Sequence, residues 1–279
     1  MSDVCFGVMQ GRLLPKYKGR YQAHPVGYWQ DEFDIAEKLR LDCIEFILDY
    51  DDAYKNPLLN KSGISQICDI VQKTSVRVKT ICADYFMEAP LHTSDESVSE
   101  SSLSVLTKLI NNSYLLGVTD IVIPCVDQSS LNSDEKTKLF IKKVKRLIPL
   151  IEKYEMNLSL ETDLPPESFI ELLESFQTQR ITVNYDIGNS ASLGYDPQEE
   201  LQAYGDRISD IHIKDRLLGG GPVMLGKGAA NFEKFFKKLK DYNYQGPFIM
   251  QAFRDDEGLD VFKKQQLWIL DIIQRYYAN

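Results

Sequence analysis

Four short apolar segments in the second half of the chain end in polar side chains that could bind a metal ion. The four residues are Glu161, Asp186, His212 and Gln251. Two carboxylates, one imidazole and one amide oxygen suit one divalent ion (Mn²⁺, Zn²⁺, Co²⁺ or Mg²⁺), and the set lacks the thiolates of structural zinc sites. A lone Asp at a strand end more often caps a helix, and a lone His is more often structural. The metal prediction therefore depends on whether these four ends converge.

The segments that carry these residues have the composition of buried parallel strands. Each is short and rich in β-branched residues, as in ITVNYD from Ile181 to Asp186. Predicted strands begin near Val4, Cys43, Val76, Asp120, Leu158, Arg180, Ser209 and Phe248. Eight strands that alternate with helices predict the α/β class and a single (β/α)₈ TIM barrel over residues 1–279, whereas an open doubly wound sheet does not require eight units. The C-terminal ends of barrel strands meet at one mouth, so the four polar residues are expected to face one another.

Two helical patterns predict how the later strands are connected. The amphipathic spacing from Asp134 to Tyr154 predicts one continuous helix. After the strand that ends at Asp186, the next helix is predicted to begin at Asp196-Pro197, because proline is favoured in a first helical turn.

Composition limits the classes of partner and the compartment. The chain has 279 residues, a net charge of −9 and three histidines. The acidic balance argues against a general nucleic-acid surface, although local cations could still bind an anionic small substrate. No membrane-spanning segment or signal peptide is visible, and five single cysteines without a zinc spacing predict free thiols in a cytoplasmic protein. No nucleic-acid or membrane partner is expected, and a homodimer is one oligomeric state that the sequence permits.

Specific motifs along the predicted strand ends resemble a known family. The motifs are ETD at Glu161–Asp163, YDIGN at Tyr185–Asn189, HIKD at His212–Asp215 and LGKG at Leu225–Gly228. From the first strand to the eighth, the chain resembles the xylose isomerase-like barrels, within them the branch of L-ribulose and L-xylulose 5-phosphate 3-epimerases. The resemblance implies that Glu161, Asp186 and His212 bind the metal with a strand-eight Glu. It also implies that the strand-five and strand-eight Glu residues form an acid/base pair.

The chain departs from that pattern at Gln251, which stands where the family has the strand-eight Glu. The resemblance therefore implies Glu161 as the principal base, with Gln251 as a weaker metal ligand in the second catalytic position. Inversion at carbon requires a base on one face and an acid on the other, and a glutamine does not exchange protons near neutral pH. One-face proton transfer is expected, unless Glu45, Asp215 or water acts on the second face.

Polar residues around the expected mouth are candidates for substrate binding. They are Arg12, Glu45, Asn189, Lys214, Asp215, Arg216 and Lys227. The four cations could hold a sugar phosphate, although ordinary surface charge explains each of them about as well. Glu45 interrupts an apolar strand, which predicts either a substrate contact or a buried salt bridge with Arg77 or Lys79.

These observations favour a divalent-metal-dependent isomerase or epimerase of a ketose or ketose phosphate. Its reaction would pass through an enediolate, with a small sugar or sugar phosphate as the partner. One alternative is a keto-polyol dehydratase or lyase, and another is a non-catalytic sugar-binding relative that lost a base at Gln251. An abasic-site endonuclease is disfavoured, because three histidines and a net charge of −9 suit neither a multi-zinc site nor a DNA groove.

Overall fold

The barrel expected from the sequence is present in the computed structural model, which describes residues 4–256 and 258–278. The eight barrel strands in this described part are β1 (Phe6–Met9), β2 (Cys43–Ile47), β3 (Arg77–Cys82), β4 (Asp120–Cys125), β5 (Asn157–Thr162), β6 (Ile181–Asp186), β7 (Ile208–Ile213) and β8 (Phe248–Met250). All are parallel and close in the order β1-β8-β7-β6-β5-β4-β3-β2. Every strand therefore ends at the same mouth.

The α-helices of the described residues surround this barrel. They are α1 (Asp31–Lys38), α2 (Lys61–Thr74), α3 (Tyr85–Glu88), α4 (Glu96–Ser113), α5 (Asp134–Lys145), α6 (Ile148–Lys153), α7 (Pro166–Glu174), α8 (Ile187–Leu193), α9 (Pro197–Tyr204), α10 (Phe232–Leu239) and α11 (Leu259–Tyr276). After β7, two short strands at Asp215–Arg216 and Pro222–Val223 pair in an antiparallel ribbon. None of the helices in these ranges has both the length and the apolar character needed to cross a bilayer.

Side chains along β6 show how the barrel separates an apolar shell from a polar interior. Val183 and Tyr185 belong to the main hydrophobic core, and the Tyr185 ring stacks on Phe235 of α10 with 4.8 Å between centroids. The alternate residues Asn184 and Asp186 are polar and also buried. Because side chains of a strand alternate between its two faces, the residues that do not pack on helices point into the barrel.

Two connections differ from the sequence predictions. The helix expected over Asp134–Tyr154 is divided into α5 and α6, with Pro149 in the first turn of α6. Proline has no amide hydrogen to donate to the carbonyl of Lys145, so the helix cannot continue unbroken. Helix α8 was not predicted, and it begins directly after β6 because Asp186 caps its first turn.

Candidate metal centre

Three of the four predicted ligands lie together at the ends of β5, β6 and β7. One donor atom from each of Glu161, Asp186 and His212 lies within 4.8 Å of the other two. The exposed fractions of these residues are 7%, 4% and 0%. Neighbouring strands therefore bring two carboxylates and one imidazole into a volume that a single cation could occupy.

The two ring nitrogens of His212 have different surroundings. Nε2 lies 2.7 Å from Oε1 of Glu45, whereas Nδ1 lies 4.0 Å from Oδ2 of Asp186. Among the described residues, neither Nδ1 of His212 nor the buried Oε1 of Gln251 has a hydrogen-bond partner. Buried polar atoms are nearly always satisfied, so an unpartnered imidazole nitrogen beside two carboxylates fits a divalent ion.

Asp186 uses its two carboxylate oxygens for different tasks. Oδ1 accepts the backbone N–H of Asn189 at 2.8 Å and caps α8, while Oδ2 lies 3.3 Å from Nζ of Lys214. Lys214 can approach Asp186 because residue 188 is glycine. An added Cβ on Gly188 would lie 2.8 Å from Cγ of Lys214. Asp186 therefore caps α8 through one oxygen and belongs to the cluster of predicted ligands through the other.

Glu161 is held by the predicted substrate residue Asn189. Nδ2 of Asn189 donates to Oε1 of Glu161 at 2.5 Å, and Oδ1 of Asn189 accepts from Nη1 of Arg216 at 2.9 Å. Burial raises the pKa of Glu161 to about 7, and the negative charge of Asp186 acts in the same direction. A carboxyl group that titrates near neutral pH is suited to proton transfer.

Glu45, one of the predicted substrate contacts, is completely buried inside the barrel. Oε1 contacts Nε2 of His212, and Oε2 accepts the hydroxyl hydrogen of Thr80 at 2.5 Å. These contacts replace the salt bridge that was the alternative prediction. Burial raises the pKa of Glu45 to about 7. Glu45 therefore supports His212 from the side away from Asp186.

Asp215 is another of the predicted substrate contacts. This fully buried carboxylate accepts the backbone N–H groups of Gly226, Gly228 and Ala230 at 2.9, 2.8 and 3.1 Å. A Cβ at Gly228 would lie 2.1 Å from Oδ1 of Asp215, so the loop can approach only without a side chain there. Asp215 anchors the glycine-rich loop, and both of its oxygens accept hydrogen bonds from loop amides.

Two of the predicted cations do not line the cavity that lies next to the cluster of predicted metal ligands. Arg12 donates to the carbonyl of Ala252 at 3.2 Å and to Oε1 of Gln22 at 3.1 Å, which directs its guanidinium to the protein. Lys227 lies exposed on the turn after Leu225. Neither residue is among the described residues that line the cavity.

The cavity itself has a volume of about 270 Å³ and opens beside the cluster. Its polar lining includes Gln22, Asp84, Glu161, Asn189, Lys214, Arg216 and Gln251. The sequence predicted five of these residues and missed Gln22 and Asp84. Asp84 follows β3 by two residues, so the strand-end criterion that found Asp186 could have found it.

Comparisons with known proteins identify the family of this chain. The family model described as "Xylose isomerase-like TIM barrel" matches residues 33–272. The L-ribulose-5-phosphate 3-epimerase UlaE of Escherichia coli K12 is 25% identical over 260 residues, which cover 89% of this chain and 91% of UlaE.

Two solved structures share the fold. The IolI protein, described with a bound zinc atom, has a TM-score of 0.76 at 17% identity and covers 99% of this chain and 100% of its own. A xylose isomerase-like TIM barrel protein from Mycobacterium smegmatis, described in complex with magnesium, has a TM-score of 0.72 at 18% identity, with coverages of 99% and 98%. Because the family model matches most of this chain, the chain belongs to the xylose isomerase-like TIM barrel family.

Proposed function

We propose that this protein is a divalent-metal-dependent isomerase or epimerase that acts on a ketose or ketose phosphate through an enediolate. The observation that carries the proposal is the convergence of Glu161, Asp186 and the unpartnered Nδ1 of His212 at the barrel mouth. The relation to UlaE, named as an L-ribulose-5-phosphate 3-epimerase, supports the same class of substrate. In this proposal Glu161, Asp186 and His212 hold the ion, and Oε1 of Gln251 is the fourth donor and the third oxygen.

The proton-transfer step is assigned to Glu161. Its carboxylate would remove the proton from the carbon beside the substrate carbonyl, while the C–H electron pair moves into the enediolate double bond. A bound divalent ion would supply stabilisation of the negative charge that develops on the two oxygens. Asn189 positions Glu161 through the 2.5 Å hydrogen bond, so the base is directed before the substrate enters.

Two cations at the cavity could recognise a phosphate group on the substrate. Lys214 and Arg216 both line it, and both already contact the site, Lys214 through Asp186 and Arg216 through Asn189. Charge-assisted hydrogen bonds from such groups favour a phosphorylated sugar over the free sugar. Arg216 lies on the ribbon from Asp215 to Val223, which brings its side chain to the cavity wall.

The donor set also bears on which metal is bound. Two carboxylates, one imidazole and an amide oxygen suit Mn²⁺, Co²⁺, Zn²⁺ or Mg²⁺. The zinc and magnesium described for the two structural relatives fall within this group. Elemental analysis of the purified protein and of His212→Ala tests the site directly, and equal metal content in the two proteins would argue strongly against it.

The function is tested by solvent deuterium exchange into a panel of ketoses and ketose phosphates. The unaltered protein should introduce deuterium beside the carbonyl of at least one substrate. Glu161→Gln should reduce the rate by a factor on the order of 10²–10⁴, as expected for loss of a general base. Exchange that is unchanged in this variant would refute the role of Glu161. Sugar and metal binding without exchange would instead identify a non-catalytic binder, the alternative that the missing carboxylate at Gln251 favours.

A further inference from the structure

A chain of hydrogen bonds connects Gln251 to a carboxylate that the proposed reaction has not yet used. Nε2 of Gln251 donates to Oε1 of Gln22 at 2.7 Å. Nε2 of Gln22 in turn donates to Oδ2 of Asp84 at 3.2 Å. All three side chains line the cavity that also contains Glu161. The amide that replaces the expected strand-eight carboxylate is thus two hydrogen bonds away from an acidic group.

The three side chains of this chain come from parts of the mouth other than the end of β5, which carries Glu161. In the closed barrel, β5 is four positions from β1, which makes the two strands opposite each other. Gln22 lies in the connection from β1 to α1, Gln251 directly follows β8, and Asp84 lies between β3 and α3. Gln22 therefore links the mouth ends of β3 and β8, which are two and three positions from β5 in the barrel. A substrate bound in this cavity would lie between the end of β5, with Glu161, and the ends of β3 and β8, with Asp84 and Gln251.

Other acidic groups are less suited to the second face. Glu45 and Asp215 are completely buried and already bonded to His212 and to loop amides. Among the described cavity-lining residues, the remaining carboxylates are Asp127 and Asp163. Asp163 follows Glu161 by two positions on the β5 side, and Asp127 lies just after β4, so both belong to the same side as the first base.

Two hydrogen bonds position the carboxyl group of Asp84. Oδ1 accepts from Sγ of Cys82 at 3.2 Å, and Oδ2 accepts from the amide of Gln22. The guanidinium of Arg12 bonds to Gln22 and holds that side chain in place. Asp84 is positioned by the protein while its side chain remains half-buried at the cavity.

Building on the isomerase or epimerase function proposed above, we propose that Asp84 is the second catalytic residue and completes an epimerase in place of the missing strand-eight carboxylate. Glu161 breaks the C–H bond on one face and keeps the proton, and the electron pair forms the enediolate. The carboxylic acid of Asp84 then forms a new C–H bond on the opposite face as the carbonyl is restored. Asp84 ends as a carboxylate and Glu161 as an acid, and proton exchange with water returns both to their starting forms.

The test compares Asp84→Asn with Asp42→Asn on one ketose substrate that the unaltered protein exchanges. Asp42 is a matched control, because its carboxylate accepts the backbone N–H of Phe6, the first residue of β1, at the other end of the barrel. For each protein, three quantities are measured: metal content, deuterium incorporation, and the rate at which the configuration of the exchanging carbon inverts. Asp84→Asn should keep its metal and its Glu161-dependent exchange while inversion falls by a factor on the order of 10²–10⁴. Asp42→Asn should match the unaltered protein in all three.

A second variant separates chemistry from folding. Asp84→Glu retains a carboxyl group on a longer side chain, so it should recover part of the inversion that Asp84→Asn loses. Inversion that persists in Asp84→Asn, or exchange by the unaltered protein without any inversion, would overturn the role of Asp84 while the isomerase function stands. Absence of exchange with every ketose and ketose phosphate would overturn both proposals. Parallel loss of metal and inversion in Asp84→Asn and Asp84→Glu would show a structural role instead.

Discussion

Oε1 of Glu45 lies 2.7 Å from Nε2 of His212, and both side chains are completely buried. The pair joins β2 to β7 across the interior of the barrel. A carboxylate on one ring nitrogen keeps the hydrogen there and leaves the other nitrogen as a lone-pair donor. In this protein the other nitrogen is Nδ1, which faces Asp186. Glu45 therefore orients the only nitrogen ligand of the proposed metal centre.

The first prediction is that Glu45→Ala weakens metal binding by about 10–100-fold, the range typical for loss of such a supporting carboxylate. Glu45→Gln keeps an oxygen that can accept from Nε2, so its affinity should fall between those of the two other proteins. Isothermal titration with Mn²⁺ or Zn²⁺ measures the three affinities.

An independent readout comes from the ring itself. The chain has only three histidines, so ¹⁵N-histidine labelling with single His variants can assign the ring signals of His212. The metal-free protein should show the hydrogen on Nε2, and Glu45→Ala should show a mixture of tautomers. Unchanged affinity and an unchanged ring spectrum in Glu45→Ala would contradict the orienting role.

The second prediction concerns pH and His24, which is buried against Trp29 and Phe46. Burial lowers the pKa of His24 to about 4, from 6.5 for a free side chain. The unfolded chain therefore binds a proton between pH 6.5 and 4 that the folded protein does not, and stability falls as pH falls through this window. Over the whole window, this proton uptake lowers the free energy of unfolding by about 3 kcal/mol.

His24→Gln cannot titrate and should lose less stability than the unaltered protein between pH 7 and pH 5. Urea unfolding of both proteins at pH 8, where each imidazole is neutral, gives the packing cost of the substitution alone. The difference between the two pH dependences then isolates His24. Identical dependences in the two proteins would show that His24 is protonated in the folded state as easily as in the unfolded chain.

The sequence was sufficient to predict the barrel and the identities of the clustered residues. Eight segments rich in β-branched residues predict a parallel sheet with helices around it. The direction of a parallel strand determines which mouth of the barrel its last residue reaches. Glu161, Asp186 and His212 are therefore brought together by strand order alone. The strand-end rule depends only on local patterns, which is why it holds for these three residues.

Contacts between segments that are far apart in the sequence were harder to predict from it. Glu45 is on the inward face of β2, where a side chain could contact either substrate or His212. Which of the two it contacts depends on its depth inside the barrel. The proposed role of Asp84 depends on its hydrogen bond with Gln22, a loop residue without a distinctive motif. Asp215 belongs to the HIKD motif, yet its oxygens are used by amides more than ten residues later in the chain.

The third prediction follows from that anchoring role. Asp215→Ala removes the acceptor for three backbone N–H groups in a fully buried position and should lower the free energy of unfolding by about 2–4 kcal/mol. Asp215→Asn retains one oxygen acceptor and should lose less. Urea unfolding measures both effects, and limited proteolysis should show earlier cleavage between Leu217 and Gly228. A loss below about 0.5 kcal/mol in Asp215→Ala, as for an ordinary surface change, would contradict the anchor.

The last prediction concerns Gln251→Glu, a nearly isosteric change that adds a carboxylate to the proposed ligand set. In the metal-free protein the new charge faces Oε1 of Gln22, which now accepts from Gln251 at 2.7 Å. Gln22 would have to turn its amide over, which gives up the hydrogen bonds to Asp84 and Arg12. The metal-free variant should therefore be less stable by about 1–3 kcal/mol.

The metal-bound form of Gln251→Glu should behave in the opposite way. A carboxylate binds a divalent ion more firmly than an amide oxygen does, so affinity should rise by about tenfold or more, equivalent to about 1.4 kcal/mol. Because an ion that binds only the folded state adds to its stability, saturating metal should recover the unfolding temperature lost in the metal-free form. Calorimetric unfolding with and without Mn²⁺ measures both changes, and Gln251→Ala serves as the control that loses the Gln22 contact without gaining a charge. A variant that binds Mn²⁺ no more tightly than the unaltered protein would show that position 251 does not reach the metal, and Gln251 would then act only through Gln22.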